Sequence, residues 1–443
     1  MRQFLVLPIV LASLLAAGSA HAQVLTGFAR MPAATFADGP TSGQFASPNA
    51  YGTNLPPFVN RQPVQGFSGV LQGPKKNVFH FLVDNGFGAQ NNSADALLRS
   101  YTLGIEWRTM KGGAGRVHPA DWHNGHPRGS FDASTRLELN DANRRLTIPI
   151  QADYLNHYNN ASHPTVASVI RARRLLTGAD FDIESIRRDH RGNFWFGDEF
   201  GPYLVKTDSR GTVLRAEIPL PGVYAPAHKD VVAGRATANL PASGGFEGMA
   251  INKSGTRLYT LLERTVTGDP AGTLRIDEFD VDREVYTGRR FFYPLDAVGT
   301  AIGDMVAIDD RRFLVLERNG NTATSPNPVP FKKVYLIDLE EVADGGAARK
   351  LELVDLMKLA DPHDLNGDGS TVFTFPYTTI ENVLILDART LLVVNDNNFP
   401  YGGGRELASD NTEFLRIRLP VSLVADEDDK DERRHRGHDR DDD

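Results

Sequence analysis

A β-propeller built from four-stranded antiparallel blades is the fold the sequence predicts, on three observations. Five segments repeat one layout: a polar residue enters a short apolar strand, a polar turn follows, and a second apolar strand stops abruptly in charged or amide residues. The distance from the entering residue to the stopping one is nearly constant. Further apolar or alternating strands follow each copy, which gives about four strands per repeat.

In chain order, the first copy runs from Phe67-Ser68-Gly69-Val70 to Val83-Asp84-Asn85. The second opens at Asp182-Ile183-Glu184-Ser185 and closes at Gly197-Asp198-Glu199. The third joins Phe246-Glu247-Gly248 to Leu262-Glu263-Arg264, and the fourth joins Gly303-Asp304-Met305 to Leu316-Glu317-Arg318. The fifth joins Ile380-Glu381-Asn382 to Asn395-Asp396. Openings at 68, 184, 247, 304 and 381 and closings at 84, 198, 263, 317 and 396 differ by 16, 14, 16, 13 and 15 positions, the length of two short strands and a hairpin turn. Third strands follow at Tyr203–Lys206, Leu274–Phe279, Val334–Ile337 and Phe414–Ile417. The first interval between openings, 116 residues, is the longest and has room for a degenerate blade using Arg136–Leu139 and Leu146–Ile150. Six blades are therefore expected, with five or seven as the neighbouring counts. A pair of β-sandwiches is the competing architecture, and it does not explain the constant offset.

The ends of the chain read differently. Arg2, an apolar stretch from Phe4 to Ala17 and Ala20-His21-Ala22 form the three parts of a secretory signal peptide, with cleavage expected near Ala22. The apolar stretch is short for a membrane span and Pro8 interrupts it. Residues 23–425 are expected to form a single propeller domain, with 23–66, rich in Gly, Pro, Ala and Asn, as an N-terminal strap and 110–130 as a long irregular insertion. Residues 426–443 carry ten acidic and five basic side chains and cannot bury enough apolar area to order. The chain has no cysteine, which excludes disulfides, thiolate chemistry and cysteine zinc sites. A periplasmic or secreted bacterial protein is the expectation. The net charge of −8 argues against nucleic-acid binding.

In a propeller, residues at one repeat position converge on the central channel. Glu184, Glu247, Asp304 and Glu381 are thus expected to meet. Asp84, Asp198, Glu199, Glu263, Glu317 and Asp396 form a second ring, either at the same mouth or at the other end of the strands. Carboxylates packed this closely stay ionised only beside cations. Oxygen ligands without Cys and with little His favour Ca²⁺, with Mg²⁺ next. Asn398, in Asn395-Asp396-Asn397-Asn398, is a further oxygen donor. The alternative for each of these is capping of backbone N–H groups or pairing with arginine at a blade junction. Arg264, Arg318 and Arg405 are suited to holding phosphate or carboxylate oxygens, or to such internal pairs. Asp364-Leu365-Asn366-Gly367-Asp368-Gly369 resembles the start of a calcium loop, but Phe375 stands where such a loop needs a glutamate. No nucleophile elbow, Walker loop or dinucleotide fingerprint occurs.

Five ordered stretches, GFSGVL with LVDNGFGAQNNSADALL, RRLLTGADFDIES with FWFGDEFGPYLVKTDSRG, GGFEGMAI with LYTLLER, IGDMVAI with FLVLERNG, and TTIENVLIL with LLVVNDNNFPYGGGR, resemble the esterase-like activity of phytase family over about residues 60–420. The resemblance implies a secreted propeller that hydrolyses phosphate or other esters of a small molecule, expected to act as a monomer. It further implies Ca²⁺ on Glu184, Glu247, Asp304 and Glu381 activating water, with Glu199 or Glu263 accepting a proton and Arg264, Arg318 and Arg405 stabilising charge. A lactonase or carboxylic-ester hydrolase similar to the regucalcin-type propellers, suggested by Glu247-Gly248, and a non-catalytic ligand- or partner-binding propeller are the competing functions.

Overall fold

The computed structural model describes residues 23–424. The signal peptide and the charged tail read from the sequence lie outside the described residues. Five antiparallel units follow one another around a central channel. Their inner strands are Phe67–Gln72, Ile183–Arg188, Phe246–Ile251, Ala301–Ala307 and Ile380–Asp387. Blades 2, 3 and 4 are separate four-stranded sheets in plain sequence order from the channel outward. Blade 5 has three strands of its own, Ile380–Asp387, Thr390–Asn395 and Thr412–Arg418, and takes its fourth, Val24–Met31, from the other end of the described chain. The ring is thereby closed by pairing of its two ends. Blade 1 stacks Phe67–Gln72, Val78–Val83 and Arg99–Glu106, and its outer position is shared by Arg116–Pro119 and Arg136–Glu138. Bridges from Arg30 to Arg116 and from Phe28 to Arg108 join blades 5 and 1 into one continuous sheet.

Each blade buries both faces, so its inner strands read as nearly continuous apolar runs. Five apolar clusters result, one between each pair of neighbours. Phe196 and Ile186 of blade 2 meet Leu82 of blade 1. Trp195 meets Met249 and Leu258 of blade 3, and Leu261 and Ile276 meet Ile302 and Phe313 of blade 4. Leu316 and Val334 meet Val383 and Val393 of blade 5, whose Val394 and Phe414 meet Phe67 and Phe81 of blade 1.

The structure has five blades where six are expected from the sequence. Arg136–Glu138 does not found a blade but adds an edge to blade 1. Leu146–Ile150 is not a strand: Pro149 has no N–H for a ladder, and the Thr147 N–H donates to Glu217 Oε2 at 3.0 Å. Leu139, Ile150, Ile170 and Leu175 of this insertion instead cover the blade 1–blade 2 cluster. Two segments read as strap and loop also contain paired strands, Val24–Met31 and Arg116–Pro119.

A buried ion pair crosses the channel. Arg187 on the inner strand of blade 2 donates through Nη2 to Asp304 Oδ1 at 2.8 Å and to the Met305 carbonyl at 2.7 Å on blade 4. Asp304 also accepts from the N–H groups of Met305 and Val383. Blades 2 and 4 are not neighbours, so this pair ties opposite sides of the ring. Removing Arg187 leaves a buried carboxylate uncompensated, which costs about 3–5 kcal/mol for such pairs. Arg187→Met is expected to lower the thermal midpoint sharply, and adding Asp304→Asn to it to recover part of the loss, as followed by thermal unfolding.

Candidate cation-binding carboxylate cluster

The entrance of every inner strand carries a one-residue irregularity against the second strand. The ladder skips Ser68, Glu184, Glu247, Gly303 and Glu381, each standing as the extra residue of a β-bulge. A bulge re-aims a side chain out of the regular alternation. On the second strand, the residue that follows the partner of the residue just before each bulge is Asp84, Glu199, Glu263, Arg318 or Asp396. These two sets are 16, 15, 16, 15 and 15 positions apart, a tighter spacing than the sequence alignment gives. Because the strands are antiparallel, the start of one and the end of the next share one mouth of the channel.

Glu184, Glu247 and Glu381 each place a carboxylate oxygen within 4.8 Å of the others. Around them stand Asp182, Glu199, Glu263 and Asp396, and these seven carboxylates are only 3–7% exposed, so water does little to screen them. Asp84, less deeply buried, is the eighth. Arg318 Nη2 lies 3.2 Å from each of Glu247 Oε1, Glu263 Oε1 and Glu381 Oε1. Ser68 Oγ donates to Glu381 Oε2 at 3.1 Å. Thr379 Oγ1 and the Asn398 N–H donate to Asp396, and the Gly86 N–H donates to Asp84. Gly245 lets blade 3 close on blade 2, since a Cβ there would lie 2.5 Å from Glu199 Cα.

Crowding and burial act together on ionisation. Burial first, then the neighbouring carboxylates, push Asp84, Glu184, Glu199 and Glu247 well above the usual carboxylate range. Burial pushes Glu381 up to about 8, aided by Asp396 and opposed by Arg318. Asp182 and Asp396 are pushed up to about 6, chiefly by burial. The donor set is all oxygen, and Glu199 Oε1 is buried without a hydrogen-bond partner. Two oxygens on one Ca²⁺ at about 2.4 Å are at most about 4.8 Å apart, so the glutamate trio fits a hard cation.

Several residues grouped with this site from sequence are not brought to it. In blade 4 the bulge position is Gly303, where a Cβ would meet the Ile380 carbonyl oxygen at 1.9 Å, and Asp304 falls one residue further on and faces Arg187. The same offset puts Glu317 inside its blade, where it accepts from Tyr293 Oη, Lys350 Nζ and the Asp296 N–H. Asp198 accepts from the N–H groups of Asp182 and Gly201. Arg405 pairs with Glu413 and stacks on Phe373 and Tyr377. Asn398 spends its side-chain amide on Thr379. Arg264, by contrast, is brought to the rim of the site, Nε 3.1 Å from Glu263 Oε2. The Asp364 turn is an exposed loop that bonds its own backbone and side chains. Two members were not picked out, Asp182 and Ser68. Asp182 is two residues before Glu184, and the period-two rule for extended chain puts both on one side.

The family model for the esterase-like activity of phytase matches residues 62–399. The chain belongs to this family. A secreted, uncharacterised protein of the fungus Arthroderma benhamiae is 31% identical over 105 residues, 20% of each chain. The chain thus spans about a fifth of the length of that curated relative. Solved structures are similar at low identity. A β-1,3-galactosidase matches at 10% identity over 90% of this chain and 62% of its own, with a TM-score of 0.39. The periplasmic gluconolactonase of Pseudomonas aeruginosa matches at 9% over 88% and 99%, with a TM-score of 0.33. At these values the likeness assigns no residue of this phytase-like protein a role. Among the described residues, no helix is long and apolar enough to cross a membrane.

The raised pKa values give stability a sign. Folding favours the protonated form of Asp182, Asp396 and Glu381, so their contribution is fully present below about pH 4 and is lost as pH rises through about 6 and then about 8. In chelator, the thermal midpoint is expected to fall between pH 5 and 8.5. Added Ca²⁺ is expected to restore several degrees at pH 8 and little at pH 5, measured by calorimetry at both pH values.

Proposed function

We propose that this phytase-like protein is an exported, monomeric hydrolase of small-molecule esters that works with a divalent cation, Ca²⁺ before Mg²⁺, at the carboxylate mouth. One observation carries the reading: Glu184, Glu247 and Glu381 converge beside Glu199, whose Oε1 is buried and unpartnered. When bound, the cation would neutralise the crowded carboxylates and polarise the ester oxygen. The three glutamates would hold it, with Ser68 fixing Glu381 and Asp84 and Asp396 flanking. Glu199, with Oε1 buried and unpartnered beside the trio, is the group placed to take a proton from an attacking water once a bound cation favours its ionised form. Arg318 cross-links three glutamates and so sets their spacing, while Arg264 at the rim is placed to meet an entering substrate. Export is supported by the leader-like residues 1–22 and by the secreted relative.

The test uses purified protein with an aryl phosphate, an aryl acetate and a lactone, with and without chelator. Turnover of at least one ester is expected, abolished by chelation and restored by Ca²⁺. Glu199→Gln is expected to lower kcat by about 10²–10⁴ with bound metal unchanged, and Glu247→Gln to lower the metal content itself. Turnover indifferent to chelator, or none on any substrate by a folded protein, would overturn the proposal.

A further inference from the structure

A cavity of about 870 Å³ opens beside the carboxylate mouth. No carboxylate of the cluster lines it, but three stand within a few residues of its wall along the chain. Phe200 in the wall follows Glu199, Asp180 precedes Asp182 by two residues, and Gly88 lies in the loop after Asp84. Its surface is largely apolar, with Ile148, Pro149, Phe200, Tyr203, Ala227 and Val232 among the lining side chains. The charged groups in the wall are matched within the protein. Lys229 Nζ donates to Glu217 Oε1 at 2.6 Å and to Thr147 Oγ1 at 2.9 Å, and Arg235 Nη2 donates to Asp230 Oδ1 at 2.6 Å. Asp180 accepts from the Gln151 and Thr177 N–H groups and from Tyr158 Oη. No surplus positive charge remains there to hold a phosphate.

We propose that this cavity holds an uncharged, ring-sized apolar portion of the substrate, placing its ester bond at the mouth; the ester is the part that rests on the hydrolase reading. Size and lining suit it: small-molecule sites occupy about 300–1,000 Å³ and are mostly apolar with few polar groups. Charge decides against a polyphosphate. Eight carboxylates stand at the mouth against Arg318, which three glutamates already share, and Arg264, which pairs with Glu263. A highly anionic ligand meets net repulsion there, whereas a neutral aromatic or branched aliphatic group gains burial without it.

Binding without chemistry tests the cavity by itself. In chelator, 2-naphthol is expected to bind saturably at one site by calorimetric titration, and equimolar inositol hexakisphosphate is expected not to displace it. Ala227→Trp, which fills the cavity, is expected to weaken 2-naphthol at least tenfold. Val232→Trp serves the same end from a residue 73% exposed, where a larger side chain does not threaten folding. Absence of saturable binding, binding unmoved by both variants, or displacement by the hexakisphosphate overturns the proposal. Naphthol binding by a protein that turns over no ester keeps the cavity and sinks the hydrolase reading; ester turnover without naphthol binding does the reverse.

Discussion

One extra backbone residue at the entrance of each inner strand sets what the mouth of this propeller can be. A regular ladder would send successive side chains alternately into the two neighbouring blade interfaces, which are apolar and cannot take an ionised group. The bulge removes one residue per blade from that alternation and turns it to the channel. Ser68, Glu184, Glu247, Gly303 and Glu381 occupy these positions, and the adjoining strand ends supply Asp84, Glu199, Glu263, Arg318 and Asp396. Five blades thus deliver nine side chains and one glycine to one locus while each interblade core stays apolar.

That locus is unbalanced in charge, and blade 4 decides how far. It departs from the others at both positions, with Gly303 in place of an oxygen-bearing side chain and Arg318 in place of a carboxylate. Gly303 is required by close approach to the Ile380 carbonyl, and the blade's other mouth position, Arg318, reaches Glu247, Glu263 and Glu381. Behind Arg318, on the next strand and directly opposite it in register, Lys332 is buried against the carbonyls of Asn319 and Thr378. Burial and then Arg318 push its ammonium down to about 6, so near neutral pH it adds little positive charge to the mouth. Arg318 and the rim residue Arg264 against eight carboxylates leave a deficit that only bound cations or protons can meet.

Much of this was legible in the sequence, because the repeat is written in residue types that have few other uses. Runs such as Leu391–Val394 ending in Asn395-Asp396 announce a buried strand that emerges at a polar mouth. What was not legible was register. Asp304 aligns with Glu247 by chemistry, but backbone geometry aligns Gly303 with it, and a shift of one residue moves a strand side chain to the opposite face. The same slip of one separates Asp198 from Glu199 and Glu317 from Arg318. The sixth blade was an error of another kind: Leu146–Ile150 has strand-like composition, and only its proline and its place on the blade 1–blade 2 core give it away. The closing strand Val24–Met31 was hidden because its partner, Thr412–Arg418, is nearly four hundred residues distant, and no local pattern records such a pairing.

Asp198 shows why a residue displaced from the cluster still matters to it. Its two oxygens hold the N–H groups of Asp182, at 2.9 Å, and Gly201, at 2.8 Å. Between those anchors lie Glu199 and Phe200, one facing the carboxylates and the other the apolar cavity. The carboxyl of Asp198 is fully buried, and burial raises it to about 8, so near neutral pH a proton is retained on a group that already accepts two backbone bonds. A neutral acid keeps the turn in place without adding to the negative charge of the mouth. One link between the polar locus and the apolar one is therefore a turn whose geometry is fixed by hydrogen bonds and whose charge is removed by burial.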